Sequence, residues 1–254
     1  MRVLGAWLLA LVVAVPAMAA DSLSTSPRGV LSLIDHVVLA YGGRAALESV
    51  HAYRMEGRVF AVQQKREGPT SRLFQRPGRL RVELHYPDRA ETRIVSGESG
   101  WRGLGAEVLT ANGPMLDAMI LQAARADLPW FLLQHASDAH AIEPLDHDGH
   151  SIVGVEVPLE RGLSIRAYVD TTSGRIEVSQ GRMVREGGGE TVFQTDYSDF
   201  RKVGRVVFAF HEENFASGQP TGTTTFDRVG LNPKLVPADF GAPAGAGNGA
   251  DSLH

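Results

Sequence analysis

The chain has 254 residues, no cysteine, 25 Lys and Arg against 29 Asp and Glu, and a net charge of −4. Without cysteine there are no disulfides, no thiolate metal sites and no acylated N-terminal cysteine. The mild acidity and interspersed signs exclude a nucleic-acid-binding stripe and a strong pull toward anionic membrane surfaces. The first residues read as an export leader: Met1-Arg2 is positive, Val3 to Val15 is apolar, and Ala17-Met18-Ala19 is a small-x-small cleavage site. The apolar run falls short of the about 20 residues of a spanning helix. A signal peptide is therefore expected at residues 1–19, with an uncleaved anchor as the alternative. The remaining 235 residues, 254 less 19, suffice for one large β domain over 20–240. No later apolar run is long enough to span a membrane, so the mature chain is expected to be soluble. The Gly/Ala/Asn-rich tail, 241–254, is expected to be disordered.

Ser26 to Tyr41 predicts a helix, because Val30, Leu31, Ile34, Val37, Val38 and Tyr41 recur on one face. Ser26 before Pro27 supplies an N-cap and an N1 proline, and Gly42-Gly43 stops the helix. A short turn over 44–50 follows. From His51 the period changes to two: Tyr53, Met55, Val59 and Ala61 alternate with Arg54, Glu56, Arg58 and Phe60. Leu80, Val82, Leu84 and Tyr86 form the apolar side of a cleaner strand. A strand through Ile94 meets Trp101 across the turn Gly97-Glu98-Ser99-Gly100.

Pro114 to Leu133 interrupts the β pattern with a helical segment apolar on more than one side, which Pro129 kinks or splits. Such a helix must be covered by protein or ligand. Alternation then returns through Val153, Val155 and Val157, and through Leu163, Ile165, Ala167 and Val169. Further strands are expected over 175–183, 191–200, 205–210 and 221–231, with Asp148-Gly149 and Gly187-Gly188-Gly189 as turns. The fold class is mainly β (α+β): ten or eleven antiparallel strands, curved over a few helices, without βαβ rhythm or repeats.

No nucleophile elbow, H-E-x-x-H or P-loop is present. The residues Asp146-His147-Asp148-Gly149-His150, with His135 and His140 upstream, are types that ligate zinc. Neighbours on a strand point to opposite faces, however, so the stretch reads first as a hairpin turn with exposed histidines. Glu212-Glu213 reads as solvated charge for the same reason. Neither a catalytic residue nor a metal or cofactor site is assigned.

The order of several short motifs resembles the LolA/LolB-like superfamily of outer-membrane lipoprotein-sorting proteins. Ala40-Tyr41-Gly42-Gly43-Arg44-Ala45-Ala46-Leu47-Glu48-Ser49-Val50 leads into a strand. Leu73-Phe74-Gln75-Arg76-Pro77-Gly78-Arg79-Leu80-Arg81-Val82 and Ile94-Val95-Ser96-Gly97 follow, then Gly100-Trp101 and Asp196-Tyr197. Leu231-Asn232-Pro233 and Pro237-Ala238-Asp239-Phe240 end the series. The resemblance implies an incomplete antiparallel β-barrel wrapped over lid helices, an apolar cavity for acyl chains, and residence in the periplasm of a Gram-negative envelope. It implies that Arg76, at the Arg-Pro step closing an early strand, holds the helical lid and supports cargo release. The plain alternative is a strand-end arginine. The Gly-Gly-Arg-Ala-Ala-Leu opening is closer to the broad LolA-like branch than to the dedicated carriers.

A non-enzymatic lipid or acylated-lipoprotein carrier is thus expected, monomeric, working with a membrane donor or acceptor protein and without nucleic acid or cofactor. Its cavity would be lined by Tyr53, Met55, Val59, Leu80, Val82, Leu84, Trp101, Val155, Val157, Ile165 and Val169. Its lid would comprise Arg76, Met115, Met119, Ile120, Trp130 and Phe131. Methionines offer adaptable apolar surface and the aromatic rings large contact area. An envelope sensor of the same fold, a metal-dependent hydrolase using the histidine stretch, and a β domain with a filled interior are the alternatives.

Overall fold

The computed structural model describes residues 26–185 and 187–243. The leader expected at 1–19, and all but the first three residues of the tail expected at 241–254, lie outside the described residues. Ser26 accepts a hydrogen bond from the Gly29 amide at 3.0 Å and caps α1 (Pro27–Ala40), with Pro27 in the first turn. Val30, Ile34, Val37 and Val38 form its buried face. Gly42 (φ 119°) ends it, and a side chain there would collide with the Arg205 carbonyl. α2 (Arg44–Glu48) is a single turn.

Six strands then run as a meander: β1 (Ala52–Ala61), β2 (Arg66–Gln75), β3 (Arg79–Tyr86), β4 (Arg89–Ser96), β5 (Ser99–Leu104) and β6 (Glu107–Ala111). The chain next forms α3 (Gly113–Ala126) and α4 (Leu128–Gln134). Seven strands complete it: β7 (His140–His147), β8 (His150–Pro158), β9 (Leu163–Asp170), β10 (Arg175–Val184), β11 (Glu190–Val203), β12 (Val206–Ala216) and β13 (Gln219–Leu231). β13 pairs antiparallel with β1, so both meanders join into one sheet whose free edges are β6 and β7. All connections between paired neighbours are antiparallel, and the barrel is open along one seam. The two helices carry the chain from one free edge to the other across the concave side, α3 lying against β4, β5, β9 and β10.

Among the described residues there are thirteen strands where ten or eleven were expected. The strands that patterning misses are β2, β6 and β7. Gly68 and Pro69 break the alternation of β2, and Pro69 sits just beyond the β3 pairing, which starts at Thr70. β6 and β7 are edge strands with mostly exposed or half-exposed residues, and β7 carries Pro144. The Asp148-Gly149 turn forms as expected, with positive φ at both residues (49° and 79°), and joins β7 to β8. The apolar segment over 114–133 splits at Asp127, with Pro129 in the first turn of α4.

Two clusters fill the concave side. Against β8–β10, α1 and α4 bury Val155, Val157, Ile165, Val169 and Ile176 beneath Val30, Ile34, Val37 and Leu132. Against β1–β4, α3 covers Tyr53, Phe74, Leu80 and Val95 with Leu116 and Met119. Glycine makes both contacts close. A Cβ on Gly100 of β5 would lie 2.9 Å from Leu116 Cδ1, and one on Gly181 of β10 would lie 2.9 Å from Leu121 Cβ. On the convex face, Leu73 and Ile94 are covered by Phe240 from the short C-terminal 3₁₀ turn, Pro237–Phe240.

Candidate functional site

The register of β1–β5 fixes what faces inward. Tyr53, Phe74, Leu80, Val95 and Gly100 are successive cross-strand partners and form one layer. The next layer is Met55, Arg72, Val82, Arg93 and Arg102, and the third includes Thr70, Leu84 and Glu91. The inner face therefore grades from an apolar layer under α3 to layers bearing arginine and glutamate.

Two adjoining spaces lie over this face. The smaller, of about 100 Å³, is under the break between α3 and α4, against Tyr53, Met55, Phe208 and Tyr197. The larger, of about 460 Å³, lies between α3 and the strands β1–β4 and β11–β13. On the same measure about 10–15 Å³ admits one water, so the larger space takes a molecule of many atoms. Arg72, Gln122, Arg125 and Asn214 belong to the walls of both.

Of the residues expected to line a cavity, Tyr53 and Met55 border the smaller space, and Val59, Val82 and Leu84 the larger. Leu80 is buried under α3 in the same cluster but borders neither space. Val155, Val157, Ile165 and Val169 are solid core, because α1 and α4 fill that half of the concavity. Trp101 is placed on the opposite face. It pairs with Ile94 as expected, but both side chains point to the convex side, where Trp101 packs with Leu73 and Phe240. The inward residue beside it is Gly100. Among the lid residues, Met115 and Met119 border the larger space and Arg76 the smaller. Ile120, Trp130 and Phe131 are half-buried against the cores.

Arg76 sits where the lid divides. Its Nε and Nη2 donate to the two carboxylate oxygens of Asp127 at 2.5 and 2.7 Å. Its Nη1 donates to the carbonyls of Leu47 and Val50, and its guanidinium lies 4.5 Å from the Trp130 ring centre. One side chain thus joins the end of β2, the α2 turn and the helix break. Tyr53 adds a second tie, its hydroxyl donating to the Ala126 carbonyl at 2.6 Å. Burial pushes the Asp127 carboxyl up to about 6, although Arg76 draws it back.

Sequence patterning passed over Arg72, Glu91, Arg93, Arg102, Arg125 and Asp127, and it read Glu212 as solvated charge, whereas Glu212 is buried and paired with Arg72. Arg72 and Glu212 form a bidentate pair, both bonds 2.7 Å, spanning the concavity from β2 to β12. Glu91 is held between Arg93 and Arg102 at 2.8 and 3.2 Å. Burial works to raise the Glu91 carboxyl, and the two arginines outweigh it and hold it below the usual carboxylate range. The interior is therefore mixed in character where a wholly apolar cavity was expected. The available signal was the spacing Glu91, Arg93, Val95: three residues on one face of a strand whose other face carries Ile94.

The histidine stretch does not converge. His150 bonds Glu177 at 2.9 Å, His140 approaches Glu156 at 3.8 Å, and His147 neighbours Asp148 in the turn. Among the described residues no group of three His, Asp or Glu side chains is placed to hold a metal. Also among them, no helix is long and apolar enough to cross a membrane.

No family model matches the sequence, and no curated protein sequence matches it. Solved structures match over most of the chain. An outer membrane lipoprotein-sorting protein domain from Vibrio parahaemolyticus superposes with a TM-score of 0.54 at 12% identity, over 85% of this chain and 97% of that one. A DUF1329 family protein from Desulfovibrio piger gives 0.51 at 11% identity, over 84% and 97%. A LolA superfamily protein from Nitrosomonas europaea gives 0.49 at 12% identity, over 85% and 97%. Thirteen antiparallel strands open along one seam, with helices inside the curve, make this chain's architecture the open LolA-like β-barrel.

Proposed function

We propose that the protein is a periplasmic carrier, without catalytic activity, that holds acyl chains of a lipid or lipoprotein between α3 and the inner face of β1–β4. The observation that carries this reading is the space of about 460 Å³ bordered by Val59, Val82, Leu84, Met115, Met119 and Phe226. Each CH₂ taken from water onto the apolar part of that wall is worth about 0.8 kcal/mol. The covering element is a split helix whose break is tied to the sheet by Arg76 and Tyr53 beside the space. The lipoprotein-sorting description of the Vibrio domain with the same fold supports the same direction. The carrier works as a monomer between a membrane donor and acceptor in outer-membrane lipoprotein or lipid trafficking.

The test is native mass spectrometry of the mature protein purified from the envelope, followed by lipid extraction. A bound acylated species is expected. A clean apo mass, with no uptake when phospholipid or a lipopeptide is offered, overturns the reading.

A further inference from the structure

The larger space carries an unbalanced charge. Six arginines border it (Arg66, Arg72, Arg89, Arg93, Arg102 and Arg125) against one carboxylate, Glu91. Two carboxylates outside its wall answer two of them: Glu212 pairs with Arg72, and Asp88 with Arg66. Glu91 is shared by Arg93 and Arg102. Arg89 and Arg125 have no carboxylate within ion-pair distance among the described residues.

Arg125 is the one that matters, because it is the inner of these two. It projects from the last turn of α3 into the wall common to both spaces. Its Nη1 donates to the Thr195 hydroxyl at 2.8 Å and its Nε reaches the Leu121 carbonyl at 3.4 Å. Both partners are neutral. The acid whose charge acts on it, Glu212, has both oxygens engaged by Arg72. Burial disfavours the Arg125 charge, Tyr197 and Glu212 offset part of that cost, and Arg72 adds to it. A guanidinium withdrawn from water without a counter-ion is an expensive arrangement for structure alone. It sits next to the apolar surface of Val82, Met119 and Phe226.

We infer that Arg125 receives the anionic head, carboxylate or phosphate, of an amphiphile whose chain lies along that apolar surface, so that the cavity selects acidic lipids over neutral ones. The inference rests on the acyl-binding reading above and adds to it the class of head group. A neutral chain gains only apolar burial in the site. An acidic one also gains charge-assisted hydrogen bonds from a donor that is half-buried and already oriented.

The experiment compares four probes on the mature protein: a fluorescent fatty acid, the alcohol of the same chain, lysophosphatidic acid, and inorganic phosphate as competitor. Wild type is expected to bind the fatty acid or the lysophosphatidic acid at least about tenfold more tightly than the alcohol. Arg125→Gln is expected to erase that advantage, and Arg125→Lys, which keeps the charge, to retain most of it. Which acidic probe shows the larger gap identifies carboxylate or phosphate as the head. Equal wild-type affinity for acids and alcohol overturns the inference and leaves the acyl-binding reading standing. So does an advantage that survives Arg125→Gln. Full competition by millimolar inorganic phosphate also overturns it, because the site is then one for a free anion. Failure of every chain-bearing probe to bind overturns the acyl-binding reading itself. Where Arg125→Gln does not fold, Arg125→Met takes its place, and equal wild-type affinities overturn the inference in either case.

Discussion

At the scale of single residues, Arg76 and Asp127 are the pair whose loss tells most. Their side chains retain 14% and 12% exposure. Arg76→Leu leaves a carboxylate stranded at the helix break and two carbonyls without their donor. The expected cost is about 3–5 kcal/mol in denaturant unfolding. Part of it should return in the double variant Arg76→Leu, Asp127→Asn, because the stranded charge is then gone. A single variant as stable as wild type removes Arg76 from the fastening of the lid.

The pH dependence of the same pair has a definite sign. The folded Asp127 carboxyl lies at about 6, above its unfolded value of about 3.9. Between these values the folded state binds more protons. Its contribution to stability is complete below the unfolded value and lost as pH rises through about 6. Melting temperature is expected to gain more in wild type than in Asp127→Asn on going from about pH 7.5 to about pH 5.5. Identical profiles in the two proteins would contradict the placement of this carboxyl. In stronger acid Glu91, whose pKa is lowered, works in the opposite sense as its pairs are lost.

Among the elements, α3 is seated by absent side chains. Gly181→Val places branched carbons where Leu121 lies, 2.9 Å from the position of the first added carbon. The expected outcome is a loss of about 1–3 kcal/mol and faster hydrogen exchange in α3 than in α1. Unchanged protection of α3 would mean that the helix does not rest on β10. Leu84→Glu and Val157→Glu separate the two halves of the concavity. Val157 is fully buried against α1 and α4, so its variant should fail to fold cooperatively. Leu84 borders the larger space, so its variant should fold and lose acyl binding. From alternation alone both positions look alike. Periodicity reports which side of a strand is apolar and is silent on whether a helix or a ligand covers it.

Across the whole molecule, α1, the split helix and the strong hairpins were legible, because each has a local cause: a cap, a proline, an Asp-Gly turn. Arg76 was legible only through resemblance, and its partner Asp127 not at all, since the two lie 51 positions apart and no local pattern pairs them. The face of Trp101 was misread for a physical reason. Its hairpin, β4 with β5, carries Ile94 and Trp101 outward under Phe240, and Glu91, Arg93 and Val95 of β4 with Gly100 of β5 inward. Hydrophobicity selects the outward set when no C-terminal turn is in view to cover it. The arginine-rich lining escaped the reading of net charge as well, because an overall −4 conceals a local excess of the other sign.

The unpaired seam between β6 and β7 has a mechanical consequence. A closed tube has a girth fixed by its strand count and stagger. This sheet behaves as a split ring, whose jaws are bridged by two helices and by no ladder of backbone hydrogen bonds. It can spread by flexing its twist while every existing strand pair stays intact, which on the carrier reading proposed above would let the bore adjust to the bulk of its occupant. Clamping the jaws with a cross-link between β6 and β7 should narrow the range of occupants accepted while leaving the fold in place.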